Sequence, residues 1–202
     1  MDSSLVSSRR GSLAAPVAAT LALLALAGCG GKEPPSAAAP TAPAGPPPTP
    51  TLDQLRVATV SGVFEQPVTL AGGRYEGPPA EAGGASRPGL MLWEPSVHYG
   101  DVDGAEGSEA VALLSATTGG SGEMVYLAAF GVRDGVLTNL GTVPVGDRTR
   151  VQSVWLEKGK VVMDAVEIGP DDAACCPTQV ARKTFRLEGA ALKQLSSEVR
   201  GV

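Results

Sequence analysis

From Thr51 to the C-terminus the apolar residues come in short runs cut repeatedly by glycine, and this punctuation leaves no room for long helices. The runs are "EQPVTL", "GLMLW", "EAVALLS", "EMVYLAAFGV", "VLTNLGTVPV", "RVQSVWLE", "KVVMDAVEI" and "VARKTFRLE". They are rich in Val, Leu and aromatic residues, which suit a pleated, half-buried surface, so they read as strands. Asp134-Gly135 and Lys158-Gly159 stand between such runs at the length of a two-residue hairpin loop, which favours antiparallel neighbours over helical crossovers. Thr51 and Gln54 have capping-box spacing, and Leu52 and Leu55 fall on one face of the short helix they would open. The expected fold is mainly β: a single antiparallel sheet or a small sandwich over 51–202, preceded by a short helix. A segment of this length can bury one core.

The first 50 residues have a different composition. Arg9 and Arg10 precede the uncharged run "GSLAAPVAATLALLALAG", which ends in small residues just before Cys29. This is the layout of a signal peptide over 1–28. The strongly apolar part is shorter than the roughly 20 residues a spanning helix needs, and Pro16 interrupts it. Residues 30–50, "GGKEPPSAAAPTAPAGPPPTP", have almost nothing to bury and many prolines. A disordered, semi-extended tether over 29–50 is expected, reaching about 3.1 Å per residue where it adopts polyproline geometry.

Leu26-Ala27-Gly28-Cys29 resembles the lipobox of bacterial lipoproteins. That resemblance implies that Cys29 is diacylated on sulfur, becomes the new N-terminus, and holds the domain on a membrane through its lipid alone. Buried acyl chains contribute about 0.8 kcal/mol per methylene, enough for two or three of them to anchor a soluble domain. Gly30, rather than Asp, follows Cys29. By analogy with Gram-negative lipoproteins this favours the periplasmic face of the outer membrane. Further along, "EQPVTLAGGRYEG", "GGASRP", "YGDVDG", "GGSGEMVYLA", "VGDRTRVQS" and "GPDDAACCPT" together resemble a group of bacterial exported and lipoprotein domains. The likeness spans about Thr51 to Leu195 and implies a shared fold and an envelope location, without an activity.

Charge narrows the partners. The chain has a formal net charge of −5. Asp2, Arg9 and Arg10 precede Cys29, so from Cys29 onward 14 basic residues face 20 acidic ones, about −6. No cluster of Lys and Arg is present to neutralise phosphates, which argues against nucleic-acid binding.

Three stretches could carry chemistry. "GDVDGAEGSEAVALL" looks like an aspartate-rich calcium loop, with Asp101, Asp103 and Glu109 at ligand positions one, three and nine. Ala105 at position five offers no oxygen and Glu106 replaces the glycine usual at position six, so any Ca2+ site would be weak. The competing expectation is a polar Asp103-Gly104 turn before a buried strand. "DDAACCPT" sets Cys175 beside Cys176. With Cys29 lipidated, the only intramolecular disulfide joins these neighbours, and an oxidising envelope favours it. Its roles would be a redox switch or a rigid turn reinforced by Pro177. The glycines of "TTGGSGEM" lack the lysine and following helix of a phosphate loop and are expected to form a hairpin turn.

His98 is the only histidine, so a Ser-His-Asp triad or a His-pair zinc site has little to build on. Asp171 and Asp172 are expected to form a polar turn. The residues therefore point to a lipid-anchored envelope protein whose domain binds or makes structural contact, with an envelope protein or peptidoglycan as partner, and is not an enzyme. The alternative is a calcium- or redox-responsive sensor using Asp101, Asp103, Glu109 or the Cys175 and Cys176 pair.

Overall fold

The computed structural model describes residues 45, 48–105, 107–173 and 175–200. The signal segment, Cys29 and most of the tether lie outside the described residues. From Thr51 onward the chain forms a mainly antiparallel β fold with one turn of helix in front. The elements are α1 (Leu52–Leu55), β1 (Thr59–Val60), β2 (Val68–Thr69), β3 (Arg74–Glu76), β4 (Gly89–Gly100), β5 (Glu109–Thr117), β6 (Met124–Arg133), β7 (Val136–Asp147), β8 (Arg150–Glu157), β9 (Lys160–Glu167), β10 (Gln179–Glu188) and β11 (Ala191–Val199). They form a five-stranded sheet β3-β4-β5-β6-β7, a four-stranded sheet β11-β10-β9-β8, and a two-stranded β1-β2 ribbon.

The middle layer is β5 and β6, and their side chains divide strictly by parity. Ala110, Ala112, Leu114 and Ala116 of β5, with Ala128 and Phe130 of β6, join a cluster with Leu55, Val60, Val68 and Leu70 of the helix and ribbon. Val111 and Leu113, with Val125, Leu127 and Ala129, join the opposite cluster with Val161, Met163, Phe185, Leu187 and Leu192. The register Ala110↔Phe130 and Leu113↔Leu127 keeps like faces together across the pair. Since successive strand residues point to opposite faces, a strand covered on both sides must be apolar throughout. That accounts for the unbroken runs "AVALL" and "YLAAFGV".

Local signals were honoured where backbone geometry dictates them. The Thr51 hydroxyl accepts from Gln54 N at 3.3 Å while the Gln54 side chain accepts from Thr51 N at 2.8 Å, a complete capping box above fully buried Leu55. Asp134 (φ 52°) with Gly135 (φ 78°), and Lys158 (φ 51°) with Gly159 (φ 69°), make two tight hairpin turns in the left-handed region. "TTGGSGEM" is the β5–β6 connection, where Thr117 Oγ1 accepts from Gly119 N at 3.1 Å.

Four features depart from the sequence expectations. β4 continues past Trp93 to Gly100, because a bulge between Trp93 and His98 takes Pro95 out of the ladder. "EQPVTL" pairs only at Val68–Thr69. The short strands β1 and β3 were not expected, and neither was β11, an edge strand of which only Leu192 is buried.

The two large sheets meet along both flanks. On one flank β7 crosses β11 so closely that a Cβ at Gly141 would lie 2.7 Å from Leu192 N. On the other, β4 touches β8 where a Cβ at Gly100 would lie 2.6 Å from Leu156 Cδ1. Backbone cannot yield, whereas a side-chain tip can. Gly141→Ala is therefore expected to destabilise by about 2 to 3 kcal/mol as overpacking does, and Gly100→Ala by less than half of that. Chemical denaturation of the two variants checks the order.

Candidate functional site

The β4–β5 loop begins immediately after Gly100, and its short polar side chains fold it on itself. Gly104 N donates to Asp101 Oδ1 at 2.7 Å, and Ala105 N donates to Asp103 Oδ1 at 2.8 Å. Val102, itself buried, donates its N–H to Glu109 Oε2 at 3.1 Å. Carboxylate oxygens of Asp101, Asp103 and Glu109 come within 4.8 Å of one another. The structure thus brings together the three residues that the sequence suggested. It also brings in Arg133 from the end of β6, whose guanidinium donates to Asp103 and reaches Glu109 Oε1 at 3.4 Å. Glu109 is 1% exposed and needs a positive partner. Arg133, itself partly exposed, supplies it and ties the loop to the end of β6.

The β9–β10 connection carries Cys175 and Cys176, which are joined to each other with Cα atoms 3.8 Å apart. Asp172 clasps the loop at its base, accepting from Gly169 N (2.8 Å), Thr178 N (2.7 Å) and Thr178 Oγ1 (2.7 Å). The Thr178 hydroxyl and then the two backbone N–H groups hold the Asp172 carboxyl below its ordinary value. Arg150 of β8 donates to Pro177 O at 3.1 Å, fastening the loop to the four-stranded sheet. Cys175, Cys176, Arg148 and Arg150 border a shallow depression there.

A third locus was not anticipated from the sequence. Where the β4 bulge pushes outward, Ser96 Oγ donates to Trp93 O at 2.6 Å and accepts from Leu113 N at 3.1 Å, replacing the lost strand pairing. Beside it opens a depression of about 320 Å³ bounded by Trp93, Pro95, His98, Gln152, Ser153 and Val154, among others. The Trp93 residue is 46% exposed. A second depression of about 410 Å³ continues past the same indole toward Glu123, Arg148 and Thr149. The sole histidine therefore lies at this groove and not among the carboxylates.

One buried cation was also missed. Lys183, on the inward face of β10, donates to Val145 O at 2.9 Å and pairs with Glu167. The alternation in "VARKTFRLE" places it between Ala181 and Phe185, both fully buried. Period-two reading of that run would have found it.

Comparison with protein-family models, curated proteins and solved structures finds no match to this chain. Its function must be sought in these residues.

Each of the two loops yields expected outcomes. Arg133→Ala leaves Glu109 buried with one hydrogen bond, and is expected to cost about 2 kcal/mol, below the value for a fully buried pair because Arg133 is partly exposed. Millimolar calcium should then raise the melting temperature of the variant more than that of the unaltered protein, since the variant alone has three uncompensated carboxylates; thermal melts with and without calcium check this.

Reduction of Cys175–Cys176 should barely move the unfolding midpoint, because closing a ring between neighbours removes far less chain entropy than the roughly 2 to 4 kcal/mol of a typical disulfide reflects. It should instead speed amide exchange over 169–178. Asp172 sets the acid limit of the same loop: its depressed carboxyl stabilises the loop above the ordinary value of 3.8, and that contribution is lost as pH falls below 3.8 through the folded-state value. Hydrogen exchange of the oxidised protein across this pH range, with Asp172→Ala as the variant lacking the dependence, checks the sign.

Proposed function

We propose that this protein is a lipid-anchored component of a bacterial cell envelope whose β domain, held off the membrane by a proline-rich tether, acts by binding a partner and not by catalysis. The observation that carries the reading is Leu26-Ala27-Gly28-Cys29 in its setting: paired arginines, an uncharged apolar run, and then a segment with nothing to bury. The placement of Gly30 after Cys29 supports the periplasmic face of an outer membrane. Among the described residues no helix is long and apolar enough to cross a membrane.

Support for binding comes from how the titratable side chains are used. Arg56 spans Asp53 and Glu94, Arg133 spans Asp103 and Glu109, Arg182 grips Asp164, and Lys183 pairs with Glu167. Most of these acids hold two elements together, a role that conflicts with proton transfer to a substrate. The groove beside Trp93 is a concave surface with both an aromatic wall and polar groups. A second reading, a calcium- or redox-responsive domain, draws on the convergence of Asp101, Asp103 and Glu109 and on the Cys175–Cys176 pair. It requires calcium to displace Arg133.

Cys29→Ser tests the anchor, because a hydroxyl cannot replace the thiolate that accepts the diacylglyceryl group. Cells fed labelled palmitate are expected to label the unaltered protein and not the variant. Label carried by the serine variant would overturn the lipoprotein reading.

A further inference from the structure

We propose that the free edge of β8, beside Trp93, receives an extended segment of a partner polypeptide as an added strand, paired along Gln152–Val154. This rests on the reading of the domain as a binding module and names the class of partner it takes.

Edge strands expose unpaired N–H and C=O groups, and proteins normally guard them by shortness, bulges, proline, charge or cover. Three of the four edges of the large sheets are guarded in these ways. β3 is three residues long. β7 carries two bulges and Pro144, and β11, with Lys193 and Glu198, lies against β7. β8 is the least guarded of the four: it has one bulge, at Gln152, and only its Leu156 end meets β4, at Gly100. Between Arg150 and Glu157 it runs Val151-Gln152-Ser153-Val154-Trp155-Leu156 without charge or proline, and among the described residues only β9 pairs with it.

Hairpin geometry tells which of its groups are free. The two-residue turn Lys158-Gly159 closes on the pair Glu157↔Lys160, a hydrogen-bonded pair, so bonded and non-bonded pairs alternate back along β8. Trp155↔Val162 and Ser153↔Asp164 face β9, whereas Leu156 and Val154 turn their N–H and C=O away from it. At Leu156 the way is blocked, because its side chain sits on Gly100 of β4. From Val154 to Gln152 the sheets splay. The bulge between Val151 and Ser153 faces the bulge between Trp93 and His98 across the groove.

The groove's chemistry selects the occupant. Unpaired main-chain donors and acceptors are satisfied by another main chain, which is how strand addition gains affinity, with side-chain pockets supplying selectivity. Here Leu113 and Val154 underlie the groove, the Trp93 indole forms one wall, and Ser96, His98, Gln152 and Ser153 are the polar groups. None of the residues bordering this depression is an acid, lysine or arginine. An uncharged segment with an apolar residue at alternate positions fits. The protein's own tether does not, since proline cannot donate to a ladder and residues 34–50 carry proline throughout.

The test uses the full chain in detergent, isotopically labelled, and three probes: an N-acetylated, C-amidated heptapeptide of alternating valine and threonine, and two isomers of it N-methylated at odd or at even positions. The parent peptide is expected to shift the amide resonances of Gln152–Leu156 and to slow exchange of the Val154 N–H. One methylated isomer should bind about three- to tenfold more weakly, as loss of the hydrogen bond to the Val154 C=O predicts. Val154→Pro, which removes an N–H that β9 does not use, should melt cooperatively and lose the parent peptide.

Equal binding by all three peptides would overturn strand addition, as would an absence of β8 shifts at millimolar peptide. So would a folded Val154→Pro variant that binds unchanged, displacement of the peptide by an N-acetylglucosamine tetramer that binds at Trp93 more tightly, or self-association of the chain through β8. None of these outcomes bears on acylation of Cys29, so failure here and failure of the anchor are separable.

Discussion

The structure depends on one constraint: β5 and β6 bury both of their faces. A two-layer sheet protein needs one apolar face per strand, but these two strands separate two cores and so need apolar residues at successive positions, as at Ala110–Leu114 and Leu127–Phe130. Their side-chain sizes differ by face. Toward the helix and ribbon they present mainly alanine, at 110, 112, 116 and 128, which lets the large residues Leu55, Val60 and Leu70 approach closely. Toward the four-stranded sheet they present Val111, Leu113, Val125 and Leu127, which meet Met163, Phe185 and Leu187. Complementary size across each interface is what native packing density demands. Burying side chains such as Phe130 and Phe185 contributes about 2 to 3 kcal/mol each, so the two cores hold most of the stability.

With the core committed to this middle layer, most charged residues occupy the outer faces and the ends of strands, and Lys183 on the inward face of β10 is the exception. On the outer face of the four-stranded sheet Arg182 makes a two-pronged contact with Asp164 (2.8 and 2.7 Å) while its guanidinium lies 4.8 Å from the Trp155 ring centroid. The hydrogen bonds from Arg182 hold the Asp164 carboxyl below its usual range. Similar pairings at Arg56–Glu94 and Arg133–Asp103 tie a helix to a strand and a loop to a strand. Along the outer edge of β8, main-chain groups at Val154 lack a strand partner among the described residues.

How much of this could be read from the sequence differs by the range of the interaction responsible. The capping box at Thr51 and the turns at Asp134-Gly135 and Lys158-Gly159 depend on residues within three positions of each other, and they were legible. So was the approach of Asp101, Asp103 and Glu109, because a short polar loop before a buried strand leaves its carboxylates few places to go. Arg133 was not, being brought in by the β5–β6 pairing from 24 residues away. The strand β11 escaped because an edge strand with one covered face shows few apolar residues. The bulge in β4 escaped because Pro95 reads as a strand end, while Ser96 repairs the ladder only through a partner, Leu113 N, that lies in another strand. The groove at Trp93 is a product of that bulge and was hidden with it.

Anchor, tether and groove make a consistent proposal: a lipid on Cys29 would fix the chain to a membrane, a proline-rich segment would set the domain's distance, and the strand edge beside the Trp93 indole would offer the contact. Its central claim is that the functional protein begins at an acylated Cys29. Intact-mass spectrometry of the protein extracted from its native membranes tests this most directly. The account predicts a chain starting at Cys29 and heavier than its polypeptide by two or three acyl chains and a glyceryl group. A chain that still contains Met1–Gly28, or one that starts elsewhere with a free Cys29 thiol, would contradict it.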